Sequence, residues 1–276
     1  MSGARPGWSW RWSPITRPGW SRRRWIEEHL THPDATWFSR ITLTEDHSLP
    51  PVVLVHGLVV SGSYFRPVAA HLDDHLRLYV PDLPGFGRSI SHTGIWTVRQ
   101  LADGLAGWLD VHALRDAVLV SNSLGCQVLT LLAEGRPDLV RALILVAPTM
   151  DPEARSMIGQ MYRGLIDIPR ETVSIWTVWL PDFMRAGVRR ALMTLHYGIR
   201  DPQLARLPNV VAPVVVVGGE RDPIVPPKWV KTMADLLPRG RGIIIPGAPH
   251  AMNYSNPRQL ARIIRVAVGM SSQECL

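Results

Sequence analysis

The sequence has little that would staple it covalently or hold it in a bilayer. Its 276 residues include two cysteines, Cys126 and Cys275. Two are too few for a disulfide framework, and neither stands in a C-x-x-C or Cys/His spacing, which argues against structural zinc and fits a reducing cytoplasm. No apolar run approaches the roughly 18 to 20 residues that cross a bilayer, and the N-terminus lacks the apolar stretch of a secretory signal. The expectation is a cytoplasmic chain without an integral membrane segment. No repeat of 20 to 50 residues is visible, which removes solenoids and propellers. The helical pair His71 and His75 in HLDDH misses the H-E-x-x-H pattern, so no metal is expected there, and nothing calls for another cofactor.

What the chain does have is enough apolar residues, 46%, to bury a sizeable core. Its net charge of +7 suggests a nucleic-acid partner until the charge is located. Residues 1–25 carry six arginines and no acid, leaving about +1 over the remaining 251 residues. The body is nearly neutral and no nucleic-acid partner is expected. The same 25 residues hold five tryptophans, three prolines and three glycines. That composition resists regular structure and reads as a Trp/Arg-rich arm over residues 1–35, a candidate for peripheral contact with an anionic membrane surface.

From residue 36 onward, apolar runs of four to seven residues alternate with amphipathic helical stretches, the pattern of a largely parallel sheet buried on both faces. TWFSRITLT reads as an edge strand. PVVLVHG (51–57), LRLYVPD (76–82), AVLVS (117–121), ALILVAP (142–148), APVVVVGGE (212–220) and RGIIIPG (241–247) read as further strands. Between 150 and 208 the rhythm breaks into helical spacing rich in methionine and tryptophan, as an insertion would.

Ser123 falls between the strand AVLVS and the helix that follows, in Ser121-Asn122-Ser123-Leu124-Gly125. A nucleophile elbow is written G-x-S-x-G because the turn is too tight for bulk two residues to either side. Ser121 is small enough to replace the first glycine, which makes Ser123 the candidate nucleophile and Ser121 a spacer. A serine hydroxyl needs a base, and the base an orienting carboxylate. Asp222 follows the strand VVVVGG and His250 follows GIIIPG, both on loops at carboxyl ends of strands, where catalytic groups of open parallel sheets gather. Glu220 and Asp151 are competing acids. Backbone N–H groups of Leu58 and Leu124 are candidates for an oxyanion hole. His56 reads as structural, and Cys126 as a small packed residue.

With LVHG (54–57), PDLPGFGRS (81–89), the elbow and the ERD and APH loops in view, the sequence resembles the α/β-hydrolase fold superfamily over about residues 36 to 270. The resemblance implies an α/β fold with a mostly parallel eight-stranded sheet flanked by helices. Its core would comprise 36–149 and 209–276, with a helical cap, 150–208, inserted after the sixth strand. It implies Ser123 as nucleophile, His250 as base, Asp222 as acid, and Asp82 as a support of its loop. Met157, Met161, Trp176 and Trp179 are candidates to line an apolar acyl pocket. The function expected is hydrolysis of a small to medium, largely apolar carboxylic ester, thioester or lactone through an acyl-enzyme, with a small-molecule acyl substrate and no cofactor. A carbon–carbon bond hydrolase of the ring-fission type and a non-catalytic ligand-binding receptor are the alternatives.

Overall fold

A computed structural model describes residues 9–13, 25–44, 48–72 and 76–269. The described residues form one ten-stranded sheet with helices on both faces: β1 (Ser9–Ser13), β2 (Trp25–His32), β3 (Ala35–Thr42), β4 (Val52–Val55), β5 (Leu78–Asp82), β6 (Ile90–Ser91), β7 (Ala117–Asn122), β8 (Val140–Val146), β9 (Val214–Gly219) and β10 (Gly240–Ile245). Their order in the sheet is β1-β2-β3-β5-β4-β7-β8-β9-β10, with the two-residue β6 beside β3. From β5 to β10 every neighbouring pair is parallel, whereas β1, β2 and β3 run antiparallel. Every residue of β4 and β7 is buried. This is why their sequences are apolar without alternation, since helices cover both faces.

The sheet exceeds the eight-strand expectation by β1 and β6, and it starts earlier than residue 36. Residues 25–32, assigned on composition to the arm, pair with β3 along the whole of β2 through a turn at Pro33 and Asp34. The polar look of WIEEHLTH hid the strand. Its inward positions are Glu28 and Leu30, and Glu28 is buried against His112, with Oε2 2.8 Å from Nε2. Residues 1–8 and 14–24 of the arm, His75 of the histidine pair, and Cys275 lie outside the described residues.

Between β8 and β9 the chain is helical, chiefly Met157–Asp167 and Trp176–Arg200, the second broken at Gly187 where φ is 77°. With β1 and β6 set aside, β8 is the sixth strand. The insertion is tied to the core at its far end. Gln127 Nε2 donates to the Gly198 carbonyl at 2.9 Å, and within the insertion Arg155 donates to the carbonyls of Ile199 and Asp201, joining its two ends. Asp82 sits at the end of β5 as a hub, accepting from Arg40, from the Gly62 amide at 2.7 Å and from the Arg88 amide at 2.9 Å. No helix among the described residues is long and apolar enough to cross a membrane.

Candidate active site

β7 ends at Asn122 and the next helix begins at Gly125, so Ser123 must reverse the chain within two residues. It does so at φ 55°, a left-handed conformation that is costly for a residue with a Cβ and that places its side chain clear of both elements. A Cβ on Gly125 would stand 2.6 Å from the His56 carbonyl, so the position two after Ser123 admits glycine alone. The position preceding it by two is looser. Ser121 fits there fully buried, its hydroxyl donating to Cys126 Sγ at 3.3 Å. Burial pushes the Cys126 thiol up to about 12, which makes it a packing group and not a nucleophile.

The other two candidates converge on Ser123. His250 Nε2 lies 3.1 Å from Ser123 Oγ, and His250 Nδ1 donates to Asp222 Oδ2 at 2.8 Å. The second oxygen of Asp222 is occupied by the Ile224 and Val225 amides at 2.8 and 3.0 Å, which fixes the carboxylate. The two loops are stitched together as well. The Arg221 amide donates to Ala248, and Glu220 accepts from the Gly247 amide at 2.8 Å. Glu220 thus serves the loop, and Asp151 is engaged elsewhere, by Arg163 at 2.7 Å and the Glu153 amide. Asp222 is the carboxylate that meets the histidine. His56 is fully buried, accepts the Leu83 amide at Nε2 and donates from Nδ1 to Gly57, while burial lowers its pKa. It is a neutral strut. The amides of Leu58 and Leu124 donate to no acceptor among the described residues.

Two acidic residues that sequence reasoning did not single out press on this site from the insertion. Glu171 Oε1 accepts the Ala251 amide at 2.6 Å, and Asp167 Oδ1 meets the His250 amide at 3.4 Å. Burial, joined by mutual repulsion, raises the pKa of Glu171, and burial likewise raises that of Asp167. No local signal marks them: they stand in DIPRE, with a proline and an arginine between them, and Glu171 is extended beyond the end of the helix. For His250, burial works against the charged form but is outweighed by the charge and hydrogen bond of Asp222, with help from Asp167 and Glu171. The imidazole is held up at about 9.

Ser123 and His250 open into a cavity of about 470 Å³. Met161, Trp176 and Trp179 line it as expected, together with Leu58, Tyr64 and Phe183. Met157 does not. The cavity meets the C-terminal half of helix Met157–Asp167, and Met157 stands one turn further away at its start. The lining is apolar apart from Tyr64, Asn122, Ser123, Asp167, Glu171 and His250. Among the described residues no group of histidine, cysteine and carboxylate side chains could hold a metal ion.

A parallel sheet presenting a strained serine, an aspartate and a histidine from the carboxyl ends of β7, β9 and β10 is the architecture of an α/β hydrolase. Residues 52–263 match the model of the Alpha/beta hydrolase family, and the chain belongs to that family. It is 25% identical over 245 residues to a 2-(acetamidomethylene)succinate hydrolase of Mesorhizobium japonicum, covering 79% of this chain and 88% of that one. It is 26% identical over 252 residues to a pimeloyl-(acyl-carrier protein) methyl ester esterase of Aeromonas salmonicida, covering 80% and 96%. Among solved structures, a thermophilic esterase from Thermogutta terrifontis superposes with a TM-score of 0.63 at 26% identity, over 93% of this chain and 97% of that one. The structure of E-2-(acetamidomethylene)succinate hydrolase shares the fold, with a TM-score of 0.70 at 20% identity over 93% and 97%. The chain is a hydrolytic enzyme of this family, which sets aside the receptor alternative.

Proposed function

We propose that the chain is a serine hydrolase that cleaves a small to medium, largely apolar carboxylic ester, thioester or lactone through an acyl-enzyme. The observation that carries this reading is the hydrogen-bonded sequence Ser123, His250, Asp222 at the floor of an apolar cavity. Ser123 Oγ attacks the substrate carbonyl as His250 Nε2 takes its proton, while Asp222 holds the Nδ1–H tautomer. The tetrahedral oxyanion is received by the Leu58 and Leu124 amides, each worth roughly 3 to 4 kcal/mol. His250 then gives its proton to the departing alkoxide or thiolate. In the second half a water, deprotonated by the same nitrogen, releases the acid and restores Ser123. The helical insertion acts as a cap whose Met161, Trp176 and Trp179 bound the acyl chain. The scarcity of cysteine supports a cytoplasmic setting.

The test is labelling with a fluorophosphonate probe alongside turnover of p-nitrophenyl esters of increasing chain length. A single adduct mapped to Ser123, with a defined chain-length optimum, is expected. An adduct elsewhere, or turnover that survives Ser123→Ala, overturns the assignment.

A further inference from the structure

Large apolar side chains are not exposed evenly over this molecule. Among the described residues seventeen are exposed, and eleven of them fall between residues 158 and 193. In helix Met157–Asp167, Ile158 (81% exposed), Met161, Tyr162 and Leu165 recur at i, i+3, i+4 and i+7 and so share one face. The buried residues of that helix are Gln160 and Asp167. The helix is therefore apolar on the face it leaves exposed and polar where it is buried, the reverse of an ordinary surface helix. In Trp176–Arg200, Leu180 and Met184 (74%) before the break at Gly187, and Val188 and Leu192 after it, are again exposed. Val173, in the connection between the two helices, is 86% exposed. Met161, Leu165, Ile168 and Leu192 also line the cavity, so the outer apolar face runs without interruption into its mouth.

The charges on this face have one sign. Arg185, Arg189 and Arg200 are exposed on the helix Trp176–Arg200, Arg185 standing 3.1 Å from Asp182. Of the insertion's acids, Asp151, Asp167, Asp182 and Asp201 are buried and Glu171 is half-buried against the Ala251 amide. Glu153 alone is exposed, and it pairs with Lys228 at 2.7 Å. We propose that the outer face of the insertion is a docking surface for an anionic lipid bilayer, which seats the mouth of the cavity against the membrane so that an acyl substrate enters from the lipid. Aliphatic side chains fit the acyl boundary and guanidinium groups fit the phosphates above it, the arrangement of helices that lie in a membrane interface. A second copy of the chain fits this face less well, because a self-complementary contact would bring the arginines of both copies together.

The role of the cavity as an acyl pocket rests on the function proposed above, but docking is read by binding and not by turnover, so the two can fail separately. The full chain is sedimented with vesicles of phosphatidylcholine alone and of equal parts phosphatidylcholine and phosphatidylglycerol, at low and high salt. Binding to the anionic vesicles that weakens with salt is expected. Arg189→Gln should lower the partition coefficient about fivefold, and Met184→Ser with Val188→Ser roughly tenfold or more. Val266→Ser, at an exposed apolar position in the C-terminal helix Pro257–Gly269, should leave it unchanged. These side chains are exposed, so the variants keep the fold, which melting curves check. Residues 1–25 are the same in all of them and contribute a constant background. Absence of binding to anionic vesicles, binding that ignores the insertion variants, or a dimer in solution dissolved by Met184→Ser with Val188→Ser would each overturn the proposal.

Discussion

The sheet and the helical insertion obey opposite rules of burial within one chain. In β4 and β7 every side chain is inside and the core strands are aliphatic. In Met157–Asp167 the buried residues, Gln160 and Asp167, are polar and the exposed ones are apolar, Met161 and Leu165 among them at the cavity. The strands are selected for burial against helices on both faces, which is worth about 25 cal/mol per Å² of apolar surface and dominates stability. The insertion has little interior of its own. Its inward side must line a cavity and meet the loop of His250 with carboxylates, so its composition reports what it touches and not how it is held together. The sheet, on this view, holds the fold and the proposed chemistry, and the insertion selects what reaches it.

That division can be broken most sharply at the elbow. Ser123→Ala should lower ester turnover by about 10⁶ with the fold intact, whereas Ser121→Ala should leave most of it. Loss of turnover in the second and not the first, measured with p-nitrophenyl esters, would reverse the roles of the two serines. Next in size, Asp222→Asn should cost on the order of 10⁴ in kcat by removing the acceptor that fixes the imidazole tautomer. Asp151→Asn, which loosens only the Arg163 contact at the edge of the insertion, should change kcat far less, and equal losses would blur the boundary between the regions.

Stability provides a smaller contrast. Leu119→Ala in β7, fully buried, should destabilise by roughly 2 to 5 kcal/mol in urea unfolding. Val173→Ala in the insertion should stay within about 0.5 kcal/mol. The smallest effect crosses from one region to the other. In the proposed mechanism the neutral imidazole is the base, so with His250 at about 9 activity should climb with pH towards that value. Glu171→Gln still accepts the Ala251 amide but removes one of the charges that raise His250, and should shift the rising limb of the pH–rate profile to lower pH. An unshifted limb would mean that the insertion exerts no electrostatic pull on the site. The linked stability has a definite sign. A raised histidine pKa stabilises the folded state fully below about pH 6.5 and loses that contribution as pH climbs through about 9.

How much could be read from the sequence follows the same line. β4, β5, β7, β8, β9 and β10 announce themselves as continuous aliphatic runs, and Ser123, Asp222 and His250 could be picked out because each follows such a run by a few residues. β2 could not, since its inward Glu28 is acceptable only beside His112, 84 residues away. For the same reason Asp167 and Glu171 were passed over: what makes them notable is the close approach of the insertion to the loop of His250, a tertiary fact with no local trace. Met161 and Met157, four apart on one helix, are equivalent in pattern, and only the position of the cavity along that helix separates them.

The order of the site residues along the chain has a consequence for the protein while it is being made. Ser123 is buttressed by β4, β7 and β8, all complete by residue 146, whereas its hydrogen-bond partner His250 arrives 127 residues after it on the loop beyond the edge strand β10. Domains form from the N-terminal end as synthesis proceeds, at about 5 to 20 residues per second. On that schedule the nascent chain would for several seconds carry Ser123 between its strands with no histidine beside it. A ribosome-stalled or C-terminally clipped product would be an inert scaffold, and hydrolytic competence would switch on only as the last strand and its loop dock.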